Sequence, residues 1–403
     1  MLDAPTMPAD AKPPDLQPVR DWLLQSRLVD DGGRSLMVGL VRVLREQGLP
    51  LWRVSFSLMT KHPELVWHTV QWNDVDGVRR LDRHRRTLAD TYFTRSPLPL
   101  LQQGAAPIRV RLDAPDLPFP VCEDLRAQGG TDYFVQGLQH LSGQIGYVSW
   151  ATRAPGGFDD AWIDGLVALS PYLAQRIELE AAYDATRALL EVYLGKNAGQ
   201  RVVRGEFRRG EGELIHAAIW FCDLRDFTSL SDHNDPRDVV RLLDEYFERV
   251  AEAIMAHGGE VLKFIGDAVL AIFPAQADAA RACRDALAAA QEASARLAQR
   301  NQERHALGQA PLSIGIALHL GNLLYGNIGA KDRLDFTVIS SAVNETCRLE
   351  ALCKPLATSL AMSDAFVQAA GLTDAIDLGP QTLKGVSRPV RVYTLRDFVV
   401  APR

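Results

Sequence analysis

The chain has 403 residues, of which 47% are hydrophobic and 23% are charged, and its formal net charge is −6. This length accommodates two or three domains with apolar cores, and the composition excludes a fibrous or disordered chain. The acidic balance, without a concentrated Lys/Arg tract, argues against a protein that coats nucleic acid.

Neither the cysteines nor the amino terminus indicates secretion. The five cysteines are odd in number and have no paired metal-ligand spacing, so we predict neither a disulfide framework nor a zinc site. Residues 1–18 are predicted to form a flexible Pro-rich leader, which lacks the pattern of a secretory signal. No uncharged apolar run reaches the roughly 18–20 residues that span a bilayer. We therefore predict a cytoplasmic protein with no membrane span and no nucleic-acid partner.

Residues 19–158 carry helix and strand signals in mixed order. A helical pattern covers residues 16–47, and short helices are predicted near 83–92 and 121–128. The predicted strands cover residues 51–59, 66–72, 108–112, 132–136 and 145–152. This order predicts an α+β domain with a mainly antiparallel sheet.

Six of the seven tryptophans fall in this half of the chain: Trp22, Trp52, Trp67, Trp72, Trp150 and Trp162. Two interpretations are open, because these side chains could line a ligand pocket or pack in the core. Core packing is favoured, since aromatic side chains dominate protein cores.

The end of this half resembles a known sensory fold. Gln144-Ile-Gly-Tyr-Val-Ser-Trp-Ala-Thr152, followed by Gly156-Gly-Phe158 and a long helix, is similar to the last strand and exit helix of GAF-type domains. The resemblance covers only part of the segment and includes no diagnostic ligand motif. It implies that residues 19–158 are a regulatory domain for an unidentified small-molecule or protein partner.

Residues 159–212 are predicted to be a signalling helix followed by a connector. Pro171 should kink the helix or begin a new segment. An apolar stripe that could pair with a second chain comprises Leu173, Ile177, Leu189, Leu190 and Val192. Residues 195–212, rich in Gly and Arg, are predicted to be a connector.

Residues 213–396 alternate strands, helices and hairpins. After a strand from residue 213, the predicted order is helix 236–257, hairpin 260–273, helix 277–305, strands 312–319 and 334–339, helices 341–353 and 363–370, and hairpin 381–395. This pattern predicts an α+β sandwich in which helices cover a sheet, because the alternation is too irregular for a doubly wound fold.

Two carboxylates in this half sit where strands end. Asp223 follows the apolar run 217–221, and Asp267 lies in a tight turn between two predicted strands. If the first strand pairs beside the hairpin, the two side chains converge at one sheet edge. Two such carboxylates suit two divalent cations that hold a triphosphate, although a capping Asp and a turn Asp are the alternative taken singly.

Four blocks together resemble the class III adenylyl (adenylate/guanylate) cyclase catalytic domain, in the order of that family. They are Phe221-Cys-Asp-Leu-Arg-Asp-Phe-Thr228, Leu262-Lys-Phe-Ile-Gly-Asp-Ala-Val269, the stretch from Leu334 to Glu350, and Leu383-Lys-Gly-Val386. The resemblance covers residues 213–396 and implies a ferredoxin-like, palm-type α/β sandwich.

This resemblance assigns roles to the metal and phosphate residues. Asp223 and Asp267 would bind two Mg²⁺ or Mn²⁺ ions per active site, with the Leu224 carbonyl as a further ligand. Phe227 and Thr228 would open a turn whose backbone N–H groups cradle the triphosphate. Thr228 could equally cap its own turn.

The later blocks carry the implied catalytic side chains. Asn344 and Arg348 lie four apart on one helix face, which suits Asn344 to a ribose oxygen and Arg348 to charge on the α-phosphate. Lys384 would be a second phosphate-binding cation. A solvated polar stripe and an ordinary surface lysine are the respective alternatives.

Base choice depends mainly on Lys263. Lysine only donates hydrogen bonds, so it suits N1 of adenine, which accepts, and conflicts with the N–H of guanine. Thr337 fills the partner position and can accept from the adenine amino group. Because a hydroxyl also donates, Thr337 discriminates weakly.

The implied function is an adenylate cyclase that converts ATP to 3′,5′-cyclic AMP and pyrophosphate and is regulated by the N-terminal domain. In the family the metal pair and the base-reading residues come from different protomers, so a head-to-tail homodimer is implied. The alternatives are a guanylate cyclase and a catalytically silent dimerisation module. A diguanylate cyclase is disfavoured, because Val261 and Leu262 replace the residues that its signature needs.

Two positions depart from the family pattern. Asp226 replaces a frequent Gly and would place negative charge beside the phosphates. Ser340-Ser341 replaces the common Gly-Asp, and we expect the change to be tolerated because Ser is a good helix cap.

Overall fold

A computed structural model describes residues 14–29, 31–59, 65–84, 94–206, 212–386 and 388–400. The chain divides into two compact units, Met1–Leu189 and Leu190–Arg403. Most of the predicted leader and of the predicted helix near 83–92 falls outside the described residues. None of the helices in the described ranges is both long enough and apolar enough to cross a membrane.

The first unit contains a six-stranded antiparallel sheet with the order β3-β2-β1-β6-β5-β4. Its strands are β1 Arg53–Met59, β2 Leu65–Asn73, β3 Gly77–His84, β4 Ile108–Arg111, β5 Asp132–Gln139 and β6 Ile145–Thr152. The predicted α+β class with an antiparallel sheet is therefore confirmed. Strand β3 was not predicted.

The helices of this unit are α1 Gln17–Gln25, α2 Arg34–Glu46, α3 Leu98–Gln102, α4 Pro120–Ala127 and α5 Asp160–Ala168, and α6 Ser170–Leu194 runs across the division. The prediction of one helical stretch over 16–47 is wrong, because Gly32 and Gly33 have φ of +66° and +80° and separate α1 from α2. Pro171 does begin a new segment, since α5 ends before it and α6 starts beside it.

Five tryptophans of this unit pack in or against apolar clusters, and the side chain of Trp67 lies outside the described residues. Trp150 and Trp162 belong to the main core, Trp52 to a second apolar cluster, and Trp22 and Trp72 pack against the main core. Core packing is confirmed for these five. Leu173 and Ile177 are also buried in the main core, so the predicted stripe for a second chain is wrong over that half.

The second unit is built on β7 Gly212–Leu224, α9 Pro236–Ala256, β8 Glu260–Ile265, β9 Ala268–Pro274, α10 Ala279–Ala306 and β10 Ile314–Ala330. These elements form a βαββαβ arrangement whose strands lie in the order β10-β7-β9-β8, all antiparallel. This is the ferredoxin-like topology, which confirms the predicted fold class.

The remaining α-helices and strands in the described part of this unit are α7 Lys196–Val203, α8 Phe227–His233, β11 Arg333–Ile339, α11 Ser341–Ala351, β12 Leu360–Ser363, α12 Asp364–Ala370, β13 Ile376–Gln381 and β14 Val390–Thr394, and a 3-10 helix, Arg396–Phe398, follows them. Four differ from prediction. Helix α7 occupies the predicted connector, α8 forms where a turn was predicted, β12 was missed, and the terminal hairpin begins at Ile376 rather than 381.

Gly39 provides a test of packing in the first unit. A Cβ at Gly39 in α2 would overlap the Trp22 indole ring of α1. We expect Gly39→Ala to destabilise this unit by about 1–3 kcal/mol because of this overlap. In an exposed helix without such a contact, Ala would instead be more stable than Gly by ~1 kcal/mol. Urea unfolding followed by tryptophan fluorescence measures this, since six of the seven tryptophans lie in this unit. Val38→Ala, at a neighbouring exposed position, is the control, and a more stable Gly39→Ala protein contradicts the packing.

Candidate active site

The alternation of side chains along β7 places Asp223 on a defined face of the sheet. Trp220 and Cys222 point into the core beneath α9 and α10. Successive strand residues alternate, so Asp223 shares the opposite face with Phe221. That face packs against residues of α7 and α11, including Ala198 and Ala342. The carboxylate thus emerges at the strand end, away from the main helical layer.

Asp267 meets Asp223 from the turn between β8 and β9. The two carboxyl groups lie close enough to interact directly. Burial raises the pKa of Asp223 from 3.8 to about 7, and the direct interaction with Asp267 and the charges of Asp267 and Glu350 act in the same direction. The Leu224 backbone N–H opposes this shift by donating to Asp223. Two carboxylates that resist joint ionisation form a site whose chemistry favours cations.

The donor set fits a divalent cation. Asp223 Oδ1 is buried and has no hydrogen-bond partner within the described residues, which leaves an oxygen suited to a metal. No group of three or more His, Cys, Asp or Glu that could hold a metal occurs in the described ranges. The interacting pair Asp223 and Asp267 comprises two carboxylates. This agrees with Mg²⁺ sites that use one or two carboxylates plus substrate phosphates.

Lys263 on β8 lies beside β11. Its Nζ donates to the Asp335 carboxylate, with the side chains 37% and 48% exposed. Thr337 is two residues beyond Asp335 on β11 and therefore faces the same way. The two residues predicted to read the base thus lie on neighbouring strands, and Lys263 contacts an acceptor, Asp335, that the sequence analysis did not identify.

Helix α11 carries the predicted catalytic pair. Asn344 is exposed and Arg348 is half-buried, one helical turn apart. A Cβ at Gly385 would lie 3.3 Å from Arg348 Nη1, so the guanidinium reaches the segment that holds the exposed Lys384. The two predicted phosphate cations therefore belong to one part of the surface. Ser340 accepts from the Val343 backbone N–H and caps α11, so the expected tolerance of Ser340-Ser341 has a structural basis.

Asp226 precedes the short helix that begins with Phe227 and Thr228. It has φ of +56°, in the left-handed region that favours Gly, so the Gly expected from the resemblance would fit this backbone. Lys354 Nζ donates to Asp226 Oδ1 at 2.9 Å. The charge that the sequence placed beside the phosphates is thus matched by a cation 128 residues away. Phe227 packs against the core and Thr228 is exposed.

Sequence reasoning assigned no role to Arg225 and Glu350. Arg225 Nη2 lies 3.2 Å from Glu350 Oε1. Burial raises the pKa of Glu350, while Arg225 lowers it and the charge of Asp267 raises it. Both residues stand inside the quoted blocks, but no local periodicity pairs them. One sequence feature that relates to this pair is Gly315, whose lack of a side chain leaves room for both charged groups.

Comparison with known proteins identifies the class of this unit. Residues 213–396 match the family model described as the adenylate and guanylate cyclase catalytic domain. The resemblance drawn from the four sequence blocks is therefore confirmed for this segment. Residues 213–396, less than half of the chain, are thus similar to an adenylate and guanylate cyclase catalytic domain.

Individual relatives match a little under half of the chain. Adenylate cyclase 1 of Rhizobium meliloti is 36% identical over 186 residues, which is 45% of this chain and 27% of that protein. The adenylyl cyclase CyaB from P. aeruginosa is 27% identical with a TM-score of 0.42, covering 48% of this chain and 97% of that one. The guanylyl cyclase Cya2 is 31% identical with a TM-score of 0.41, covering 47% and 99%. The chain spans 27% of the length of its R. meliloti relative and 38% of the Anabaena cylindrica adenylate cyclase.

Because the pKa of Asp223 is raised, we expect the folded protein to lose stability as pH rises when no cation is bound. The folded carboxyl keeps its proton up to a pH of about 7, whereas the unfolded one loses it near 3.8. The folded state therefore binds more protons between these values, and stability falls as pH rises through this range. At pH 8 with EDTA, we expect Asp223→Asn to raise the melting temperature by about 2–4 °C, a magnitude discounted for partial exposure.

The control for this experiment is Asp332→Asn, in an exposed turn, which should change the melting temperature by less than ~1 °C. A melting temperature of Asp223→Asn at or below that of the unaltered protein at pH 8 would show that the carboxyl pair carries no repulsion.

Proposed function

We propose that the protein is an adenylate cyclase that converts ATP to 3′,5′-cyclic AMP and pyrophosphate, regulated through its N-terminal unit. This proposal rests on the contact between the Asp223 and Asp267 carboxyl groups at the end of β7, within a segment that matches a cyclase catalytic domain. The direct test is incubation of the purified chain with Mn²⁺ and ATP or GTP, followed by detection of the cyclic nucleotide and pyrophosphate.

The proposed chemistry is attack of the ribose 3′-oxygen on the α-phosphorus, with pyrophosphate as the leaving group. Two Mg²⁺ or Mn²⁺ ions, held by Asp223, Asp267 and the Leu224 carbonyl, would lower the pKa of the 3′-hydroxyl and neutralise phosphate charge. Asn344 would orient the ribose, and Arg348 would stabilise the charge that accumulates on the α-phosphate.

The remaining residues would hold the triphosphate and the base. Lys384 would bind phosphate, and the backbone N–H groups that open α8 at Phe227 and Thr228 would cradle it. Lys263 would donate to adenine N1, and Thr337 would accept from the amino group.

GTP is the second candidate substrate, and one observation favours testing it. Asp335 accepts from Lys263, so an acceptor stands next to the donor at the proposed base position. A carboxylate there could accept from the N–H groups of guanine, which Lys263 alone would oppose. The ATP/GTP ratio of kcat/KM decides between the two, and Asp335→Asn should raise that ratio if guanine uses the carboxylate.

The proposed assembly is a head-to-tail homodimer with two shared sites. Asp223 and Asp267 would come from one protomer, and Lys263, Asn344 and Arg348 from the other. Regulation by the N-terminal unit would then act on the closure of this dimer. The signal that it receives, a small molecule or a protein, is left to ligand screening.

Subunit complementation tests the shared sites. Asp223→Ala and Lys263→Ala chains should each be inactive alone, because each removes one half of both sites. Random mixing makes half of the dimers mixed, each with one intact site, so activity should recover to about a quarter of the unaltered enzyme. Cyclic AMP production in the mixture is the measurement, and mixing two Asp223→Ala preparations is the control. An inactive mixture rules out sites shared in this way.

The Asp226–Lys354 pair predicts opposite effects on ATP binding. Lys354→Met leaves the Asp226 charge without this partner near the phosphates, so we expect the KM for ATP to rise about two- to threefold. Asp226→Gly removes the charge and relieves the left-handed backbone, so the KM should fall by a similar factor. Steady-state kinetics at saturating Mn²⁺ give both values. The double variant should return near the original KM, and a KM unaffected by Lys354→Met would refute the electrostatic role.

A further inference from the structure

Arg225 and Glu350 form an ion pair next to the carboxylates of the candidate metal site. Arg225 Nη2 and Glu350 Oε1 lie 3.2 Å apart, and the side chains are 20% and 6% exposed. Neither of these two atoms has a hydrogen-bond partner elsewhere in the described ranges. The attraction between them therefore offsets the cost of burying them, and loss of either partner leaves a buried charge.

The sheet leaves space for this pair at one position. Gly315 on β10 stands directly opposite Asp223 on β7. A Cβ there would overlap both the Arg225 guanidinium and the Glu350 carboxylate. Gly315 does not have a positive φ, so its backbone conformation does not require Gly. Gly is required at this position because two charged groups approach the strand closely.

Helix α11 presents its two functional sides in different directions. Asn344 and Arg348 share one side, and Arg348 reaches Gly385. Glu350 is two residues beyond Arg348, which is roughly 200° around an α-helix. It therefore points back toward β10 and the loop that follows β7 in its own chain. The same helix carries the proposed transition-state residues on one side and a link to the metal-site loop on the other.

We infer that Arg225 and Glu350 are a positioning pair that fixes the metal-site loop against α11 and so links the two active sites of the dimer. This inference rests on the proposed function, in which the Asp223 loop and the Arg348 helix of one chain serve different sites. Arg225 is two residues from Asp223, and Glu350 is two residues from Arg348. A change in the pair therefore shifts a group in each site.

The mixed dimer of Asp223→Ala and Lys263→Ala chains separates the two ends of this link. Its single intact site takes Asp223 from the Lys263→Ala chain and Arg348 from the Asp223→Ala chain. Glu350→Gln is placed on one chain or on the other, and cyclic AMP formation is measured at saturating Mn²⁺ so that cation affinity does not enter kcat. We expect either placement to lower kcat about tenfold, with the KM for ATP within about twofold.

Two control variants separate positioning from stability. Glu345→Gln removes another carboxylate from α11 and should leave kcat within about twofold in either placement. Arg225→Met combined with Glu350→Leu replaces the buried pair by apolar groups, which is often neutral for stability. We expect the melting temperature of this double variant to lie within about 2 °C of that of the unaltered protein. Its kcat should stay low, because the charged link is lost.

Three results would overturn the inference. If Glu350→Gln acts in only one placement, the pair serves one site alone. If it acts in neither, the pair has no positioning role. If the double variant recovers both kcat and the melting temperature, the pair contributes to folding stability and has no positioning role. An inactive parent mixture, without any change at Glu350, is a separate outcome that overturns the shared-site function and this link with it.

Discussion

The pairing of β7 with β10 is the constraint on which the second unit depends. Its antiparallel ladder runs from Gly212 opposite Gly326 to Leu224 opposite Ile314. Apolar side chains cover both faces of β7, so the register is held from two sides. A slip of one residue would turn Asp223 into the core beneath α9 and α10. The position of the carboxylate at the end of the ladder is thus a consequence of how the strand is buried.

Charge balance around that carboxylate is the second constraint. The charges of Asp267 and Glu350 disfavour ionisation of Asp223, whereas Arg225 favours ionisation of Glu350 and the Leu224 backbone N–H favours that of Asp223. Without a cation, the folded state retains a proton on a carboxyl that would ionise in water. The repulsion that disfavours ionisation of both carboxyl groups also favours the binding of divalent cations, because a cation replaces the proton with a larger positive charge.

Local sequence patterns predicted the long elements of the second unit and some short ones, such as β4 and α12, but missed others. The apolar run of β7 and the periodicity of α9 and α10 were sufficient signals. The helical stretch over 16–47 was broken by Gly32 and Gly33, whose effect the periodicity obscured. Helix α7 was missed because its Gly and Arg content resembles a connector, while Ala198 in the core and a hydrogen bond from Asn197 to Glu260 stabilise it. These contacts come from strands that a local window does not include.

The sequence by itself determined which groups carry the proposed chemistry: carboxylates at a strand end and a turn, a donor-only lysine, and an Asn and Arg one helical turn apart. Tertiary structure alone decided their partners. Asp335 lies 72 residues from Lys263, and Lys354 lies 128 residues from Asp226. Glu350 meets Arg225 only because Gly315 leaves room between them. Periodicity specifies the face of an element on which a residue lies, but the residue that it meets is set by strand register and helix packing across the whole unit.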